Sequence, residues 1–385
     1  MSPPPSKPRR ILVSEYVAGG AWPDGIPEGS LAREGAAMLH AVVEDLSTLT
    51  GVEVHTTWDG RLGPPPWQPT SHLGSATALT VTVVDGPAEE WQQFAELASQ
   101  CDAVLVIAPE FDRLLEQRSD WVSSRGIPLL GPSPAAVALC ADKWRLAQHF
   151  ESNGVPTIPT TLCDLAQEPT VEPGWPRVIK PRFGAGSTST FLLQDRHEQT
   201  ALGSQLAFEP LLSDAIIQPF RVGIPASVAV ICQGDGRVFL PLPLARQRLS
   251  SDGRFHYLGG ELPFPSPFAP QALELARLAC ASVPGLRGFV GVDLLVDEVS
   301  GQVTIVEINP RLTTSYLGYR RLAAAPSRPG GVVLRESPLA RALVLPENAR
   351  ASLGFRASSP LFFEPIQGGM ADNGPKTGGT TEKVS

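Results

Sequence analysis

Between Ile11 and Gly131, short apolar runs alternate with amphipathic stretches, and this pattern constrains the fold more than any other feature. Ile11-Leu12-Val13, Val52–Thr56, Ala78–Val84, Ala103–Ile107 and Pro128–Gly131 read as strands. From Ser30 to about Leu46, Leu31, Met38, Leu39, Val42 and Leu46 recur at helical spacing, with Ser30 and the following Arg33-Glu34 marking the start. Glu89–Gln100 and Asp112–Ser124 read as two more helices, and Pro64–Pro69 as a proline-rich loop. Strands apolar throughout need cover on both faces, so the expectation is a parallel, doubly wound α/β sheet.

The pattern changes after Pro134. One helix is expected from Pro134 to about Asn153, carrying Ala141-Asp142-Lys143. Val178–Lys180, Thr190–Leu193, Ala215–Gln218, Ser227–Cys232 and Val238–Leu242 then read as short strands between Gly, Pro and Asp turns, an α+β arrangement with an antiparallel or mixed sheet. After a helix near Gln271–Val283, Gly288–Val296 and Val303–Asn309 flank the turn Asp297–Gly301 and predict a hairpin. Asn348–Pro365 still carries packable residues, whereas Gln367–Ser385 is low in apolar residues and reads as a disordered tail. The 385 residues suggest two or three domains. A net charge of -8 argues against broad attachment to nucleic acid or to an anionic membrane. No stretch approaches the roughly 20 apolar residues of a membrane span. Met1–Arg10 is a Pro- and Lys/Arg-rich arm, and no signal h-region follows it. Five widely spaced cysteines without a secretion signal suggest a reduced, cytoplasmic setting.

The chemistry concentrates in Val303-Thr304-Ile305-Val306-Glu307-Ile308-Asn309-Pro310-Arg311. On a strand, Glu307 and Asn309 point to one face, about 6–7 Å apart at Cα. Two such oxygen ligands suit a hard divalent cation. Asp293 closes Gly288-Phe289-Val290-Gly291-Val292-Asp293 on the partner strand and offers a third ligand, although it also reads as a surface acid near a turn. Arg311 lies where it can meet charge developing on a phosphoryl or acyl group. Val178–Ser187 puts Lys180 at a strand end before Gly184, Gly186 and Ser187, small residues that let backbone N–H groups approach a polyanion. Taken alone, that segment reads equally well as an ordinary hairpin with an exposed lysine. Gly19-Gly20 lacks the third glycine of a dinucleotide loop and meets Pro23 where a helix should begin, so it reads as a flexible loop facing substrate. Glu110 follows the fourth strand, where open α/β sheets bind ligands; it reads as a substrate contact or as a helix-start carboxylate. The six histidines show no metal spacing, and no Gly-x-Ser-x-Gly is present.

With Lys143, Lys180, the glycine loop, Asp293 and Glu307-x-Asn309-x-Arg311 in that order, Leu130–Arg320 resembles the ATP-grasp superfamily of carboxylate–amine ligases. Ile11–Leu130 looks like the Rossmann-like pre-ATP-grasp domain that precedes it there. Glu15-Tyr16, Gly19-Gly20, Ser30-Leu31 to Met38-Leu39, Ile107–Glu110 and Asn309–Ser315 are similar to the tyramine–glutamate ligase-like branch. The expected organisation is an arm (1–10), a pre-ATP-grasp domain (11–130), an ATP-grasp domain (131–320), an extension (321–366) and the tail (367–385).

The resemblance implies that Lys143 and Lys180 contact ATP phosphates and that Gly184, Gly186 and Ser187 form the loop closing over them. It implies that Ile216–Phe220 is the adenine hinge, with Gln218 departing from the family's usual acid and Phe220 ending it. It also implies that Asp293, Glu307 and Asn309 hold Mg²⁺ or Mn²⁺, and that Arg311 steadies the acyl phosphate. Thr313, Thr314 and Glu110 are the expected substrate contacts, together with the Arg246–Gly260 loop. The implied reaction joins a small-molecule carboxylate and an amine, such as glutamate and tyramine, at the expense of ATP. A homodimer is the implied assembly. A kinase on this fold and a non-catalytic nucleotide-binding regulator remain the alternative readings.

Overall fold

The computed structural model describes residues 7–23, 25–67, 79–163, 174–204, 209–233, 238–323, 336–344 and 361–363. The first unit runs β1 (Arg9–Glu15), α1 (Gly29–Ser47), β2 (Val52–Asp59), β3 (Leu79–Val84), α2 (Pro87–Gln100), β4 (Ala103–Ile107) and α3 (Leu114–Ser123). Its four strands are all parallel, in the order β3-β2-β1-β4. Both faces are covered. Ile11 and Val13 pack with Leu39 and Val42 of α1 on one side; Leu12, Val104 and Val106 pack with Phe94 and Leu115 on the other.

Three local expectations give way here. Pro128–Gly131 is no full strand; Leu129 makes a single parallel bridge to Val104. Arg9 and Arg10 belong to β1 rather than to an arm, because the Arg9 N–H donates to Gly51 O (2.8 Å) and the Arg10 N–H to Asp102 Oδ2 (2.7 Å). Gly19-Gly20 is a buried, wide helical turn (Val17–Ala21) rather than a flexible loop. The Ala18 N–H in that turn donates to the Glu15 carboxylate at 2.5 Å, and burial pushes the Glu15 pKa up to about 7. Gly20 sits at φ 106°, where a Cβ would stand 2.4 Å from Val84 Cγ2.

The expected Pro134–Asn153 helix is two, α4 (Pro134–Ala141) and α5 (Lys143–Ser152). Asp142 breaks it with extended backbone (φ −88°, ψ 92°), and its carboxylate caps α5 by accepting from the Arg145 N–H. There follow β5 (Thr161–Cys163), β6 (Arg177–Pro181), β7 (Phe191–Leu193), α6 (Arg196–Gly203) and β8 (Ala215–Pro219). Their strands form a small antiparallel sheet ordered β5-β8-β6-β7. Next come β9 (Ile224–Gln233), β10 (Val238–Pro241), β11 (Ala245–Leu249), β12 (Tyr257–Leu262), α7 (Ala269–Ser282), β13 (Gly288–Asp297), β14 (Gln302–Asn309), α8 (Ser315–Ala323), α9 (Pro338–Val344) and β15 (Leu361–Phe363). The large sheet is ordered β14-β13-β9-β11-β12-β15, with β10 beside β9. The described residues thus give a parallel α/β unit followed by an α+β unit. Residues 367–385 lie outside them, as does 348–365 apart from β15.

The large sheet is covered on both faces. Val228, Val230, Val290 and Val292 pack against α4, α5 and α7. Ala229, Ile231 and Phe289 face Tyr316, Tyr319 and Leu339 in the same apolar cluster as Leu39 and Leu46 of α1. That shared core fixes the parallel unit against the large sheet. A polar network reinforces it: Tyr316 Oη donates to Asp45 Oδ2 (2.7 Å), and Arg320 Nη2 donates to Asp45 Oδ1 (2.9 Å).

Candidate active site

The predicted hairpin forms. β13 and β14 run antiparallel from Asp297 opposite Gln302 to Gly291 opposite Asn309, with an irregularity after Asp293. That register sets Asp293 directly across from Glu307. Asn309, two residues beyond Glu307, shares its face, and its Nδ2 donates to Asp293 Oδ2 at 3.0 Å. Gln247 of β11 donates from Nε2 to the other carboxylate oxygen, Oδ1, at 2.9 Å. Burial beside the Glu307 carboxylate pushes Asp293 up to about 7.

Lys143 and Lys180 face this strand. Their Nζ atoms stand 3.9 and 3.8 Å from Glu307 Oε2. Burial alone would raise the Glu307 pKa, but Lys143, Lys180 and Arg311 outweigh it and hold the carboxyl below its ordinary value. Burial also lowers Lys180. Lys143 reaches the site because the helix breaks just before it. Asp142, released from helical geometry, grips Arg182 through two bonds of 2.8 and 2.6 Å, two residues beyond Lys180. One bidentate pair therefore sets the spacing of the two lysines. Lys143 Nζ also donates to Gly184 O (2.7 Å), which ties it to the glycine segment. In that segment Gly186 (φ 66°) and Ser187 (φ 60°) are left-handed, and nothing stands within 4 Å of where a Gly186 Cβ would be.

These groups line one cleft of about 1000 Å³ between the small sheet and the large one. Gln218 and Phe220 line it as well. Gln218 Nε2 donates to Thr160 Oγ1 (2.8 Å), the Phe220 N–H donates to Pro176 O (3.0 Å), and the Phe220 ring stacks on Phe255. Thr313 and Thr314 also line the cleft; Thr313 Oγ1 lies 2.8 Å from Ser315 Oγ, and Thr314 shares a hydrogen bond with Tyr257. Glu34 of α1 reaches the same wall.

Glu110 precedes the short helical turn Phe111–Arg113, and its side chain makes no cap bond there. It does not line the cleft but stands behind Arg311, 5 % exposed, accepting from Arg311 Nε at 2.9 Å. Sequence reading reaches Gln247 only through the Arg246–Gly260 loop, which is largely β11 and β12, and it misses Glu34 and the Asp142–Arg182 pair as site groups. Only the last left a trace, an acid and an arginine flanking the two lysines in the chain. Among the described residues, no cluster of three or more His, Cys, Asp or Glu forms a metal site; the donor set is two carboxylates and an amide. No helix among them is long and apolar enough to cross a membrane.

A pre ATP-grasp 3 domain matches residues 52–137, and an ATP-grasp domain matches residues 140–315. The chain belongs to the ATP-grasp superfamily. This ATP-grasp chain is 27% identical over 219 residues to the tyramine–L-glutamate ligase of Methanocaldococcus fervens, covering 57% of this chain and 62% of that one. It is 25% identical over 194 residues to a D-alanine–D-alanine ligase of Pseudomonas putida, covering 48% and 58%. It thus spans about three-fifths of the curated relatives it matches. Among solved structures, an ATP-grasp superfamily protein from Archaeoglobus fulgidus superposes with a TM-score of 0.59 at 22% identity, over 88% of this chain and 89% of that one. The L-amino acid ligase of Bacillus licheniformis gives 0.64 at 14% identity, over 92% and 79%. These likenesses show the fold, a parallel pre-ATP-grasp unit followed by an ATP-grasp unit, as the sequence implies.

Proposed function

We propose that this ATP-grasp protein is an ATP-dependent carboxylate–amine ligase, with its two domains meeting near residue 130. One observation carries the reading: Lys143, Lys180, Asp293, Glu307, Asn309 and Arg311 converge on a single cleft. Two lysines 3.8–3.9 Å from one carboxylate form a cationic wall for a polyphosphate. Asp293 and Glu307 face each other directly, an arrangement that invites a cation between them. Two carboxylates and one amide oxygen suit Mg²⁺ or Mn²⁺, which would neutralise phosphate charge in this cleft.

In this reading Gly184, Gly186 and Ser187 close over the phosphates, and Gln218 and Phe220 border the base. Because the Phe220 N–H is already bonded to Pro176 O, the Phe220–Phe255 ring pair is the better base contact. The substrate carboxylate attacks the γ-phosphorus of ATP. A C–O–P linkage forms, the bond to ADP breaks, and ADP leaves with its electron pair. The amine then bonds to the acyl carbon, inorganic phosphate departs, and the amine's surplus proton passes to solvent. Such chemistry needs positioning and charge neutralisation more than a protein nucleophile. Arg311 supplies a guanidinium at the cleft wall, beside Thr313 and Thr314 on the substrate side.

The test is a screen of carboxylate and amine pairs for ADP release, starting with glutamate plus tyramine, the pair in the name of the Methanocaldococcus relative. Hydroxylamine added in place of the amine should yield a hydroxamate. A stable phosphate ester without hydroxamate makes the chain a kinase. ATP binding with no ADP from any pair makes it a non-catalytic regulator.

A further inference from the structure

The Arg311–Glu110 pair joins residues 201 apart in sequence, one from the end of β14 and one from the end of β4. It crosses from the large sheet to the parallel unit. Arg311 lines the cleft, whereas Glu110 is buried behind it. The guanidinium is divided among different tasks. Nε donates to Glu110 Oε1, Nη1 donates to Leu312 O at 3.2 Å, and no bond occupies Nη2 among the described residues. The carboxylate is only half used as well, since Glu110 Oε2 is buried without a partner. Arginine commonly meets a carboxylate through two parallel bonds, and here the second is unmade on both sides. The segment that carries Glu110 is also strained: Asp112 (φ 52°) and Arg113 (φ 58°) are consecutive non-glycine residues in the left-handed region. A strained backbone and an unsatisfied buried oxygen are poor for stability, and both occur where a functional arrangement is being held.

We propose that Glu110 is a positioning residue by which the pre-ATP-grasp domain sets Arg311, gripping Nε so that Nη2 stays aimed at the reacting phosphoryl or acyl oxygen. Through this bond the parallel unit contributes to turnover from behind the cleft wall. The ligase reading supplies the reaction; the orientation of Arg311 stands apart from it. Glu34, on the same unit's α1, adds a second carboxylate to the electrostatic surroundings of Arg311.

The test uses the full chain and a substrate pair that the wild type turns over. Glu110→Ala should lower kcat by about 100-fold, the scale of a misplaced catalytic group, with ATP affinity unchanged. Glu110→Gln, which keeps an oxygen to accept from Nε, should recover most of that loss. In an Arg311→Ala background, Glu110→Ala should cost nothing further in kcat, because its effect runs through Arg311. Equal losses in both backgrounds, or a Gln variant as impaired as Ala, would overturn the proposal. Should no pair support turnover, the ligase reading fails, but the positioning claim is still decided by ¹⁵N relaxation at Arg311 Nε. An Nε–H rigid in the wild type and mobile in Glu110→Ala supports it; an Nε–H equally mobile in both refutes it.

Discussion

Replacing Lys180 with methionine removes an ammonium while keeping most of the aliphatic stem, so Lys180→Met isolates charge from packing. The lysine side chain is 11% exposed, with Nζ 3.8 Å from Glu307 Oε2. Two unit charges about 4 Å apart interact by roughly 4 kcal/mol at an effective dielectric near 20. Glu307 already offsets part of that charge and Lys143 remains in place, so the net contribution to phosphate binding falls to about 2 kcal/mol, within the range for a bond to a charged group. That predicts a roughly 30-fold weaker affinity for ATP. Folding should change little, because Glu307 keeps Lys143 and a buried ammonium is lost along with its desolvation cost. Isothermal titration with ATP and Mg²⁺, beside a melting curve, separates the two effects. Burial holds Lys180 below its ordinary 10.5, and phosphate binding needs the charged form. Wild-type affinity should therefore decline on the alkaline side earlier than an ordinary lysine would dictate, and Lys180→Met should lack that limb. Unchanged affinity in a folded variant would remove Lys180 from the phosphate wall.

Glu307→Gln should abolish Mg²⁺-dependent ADP release while leaving the melting temperature near that of the wild type; retained turnover would sink the metal-site assignment. At Glu15, whose folded-state value lies near 7 against an ordinary 4.5, the stabilising contribution is complete below pH 4.5 and lost as pH rises through 7, about 3 kcal/mol in all. Glu15→Gln should remove that loss, so urea unfolding at pH 5 and pH 8 should show a smaller difference than in the wild type; equal differences would count against a buried, protonated Glu15. Gly288 combines φ 71° with a Cβ position 2.1 Å from Leu130 O, so Gly288→Ala should destabilise by about 3 kcal/mol, read from denaturant midpoints.

The hairpin was readable because its signals are local. Val303–Val306 is β-branched and largely apolar, an acidic glycine turn precedes it, and pairing across that turn brings Asp293 to Glu307. The parallel sheet was readable for the same reason. What stayed hidden has other causes. Nothing in Ala141-Asp142-Lys143 resembles a helix breaker, because Asp142 is drawn out of the helix by Arg182, forty residues away. β11 reads Ala-Arg-Gln-Arg-Leu, too polar to signal a strand, and it hides Gln247, which matters through its bond to Asp293. α8 begins at Ser315, directly after Thr313-Thr314, where helical periodicity is masked. The bond from Arg311 to Glu110 spans 201 positions, which no local pattern encodes.

β15 gives this architecture a practical asymmetry. Phe363 fills the room left by two glycines, since a Cβ on Gly260 would lie 2.4 Å from its ring and one on Gly318 would lie 2.8 Å from it. The strand thereby clasps β12, which carries Tyr257, and α8, which follows Thr314 directly. On the ligase proposal, shortening the chain before Leu361 should leave nucleotide titrations intact and loosen selectivity among amines, which a panel of amines would register.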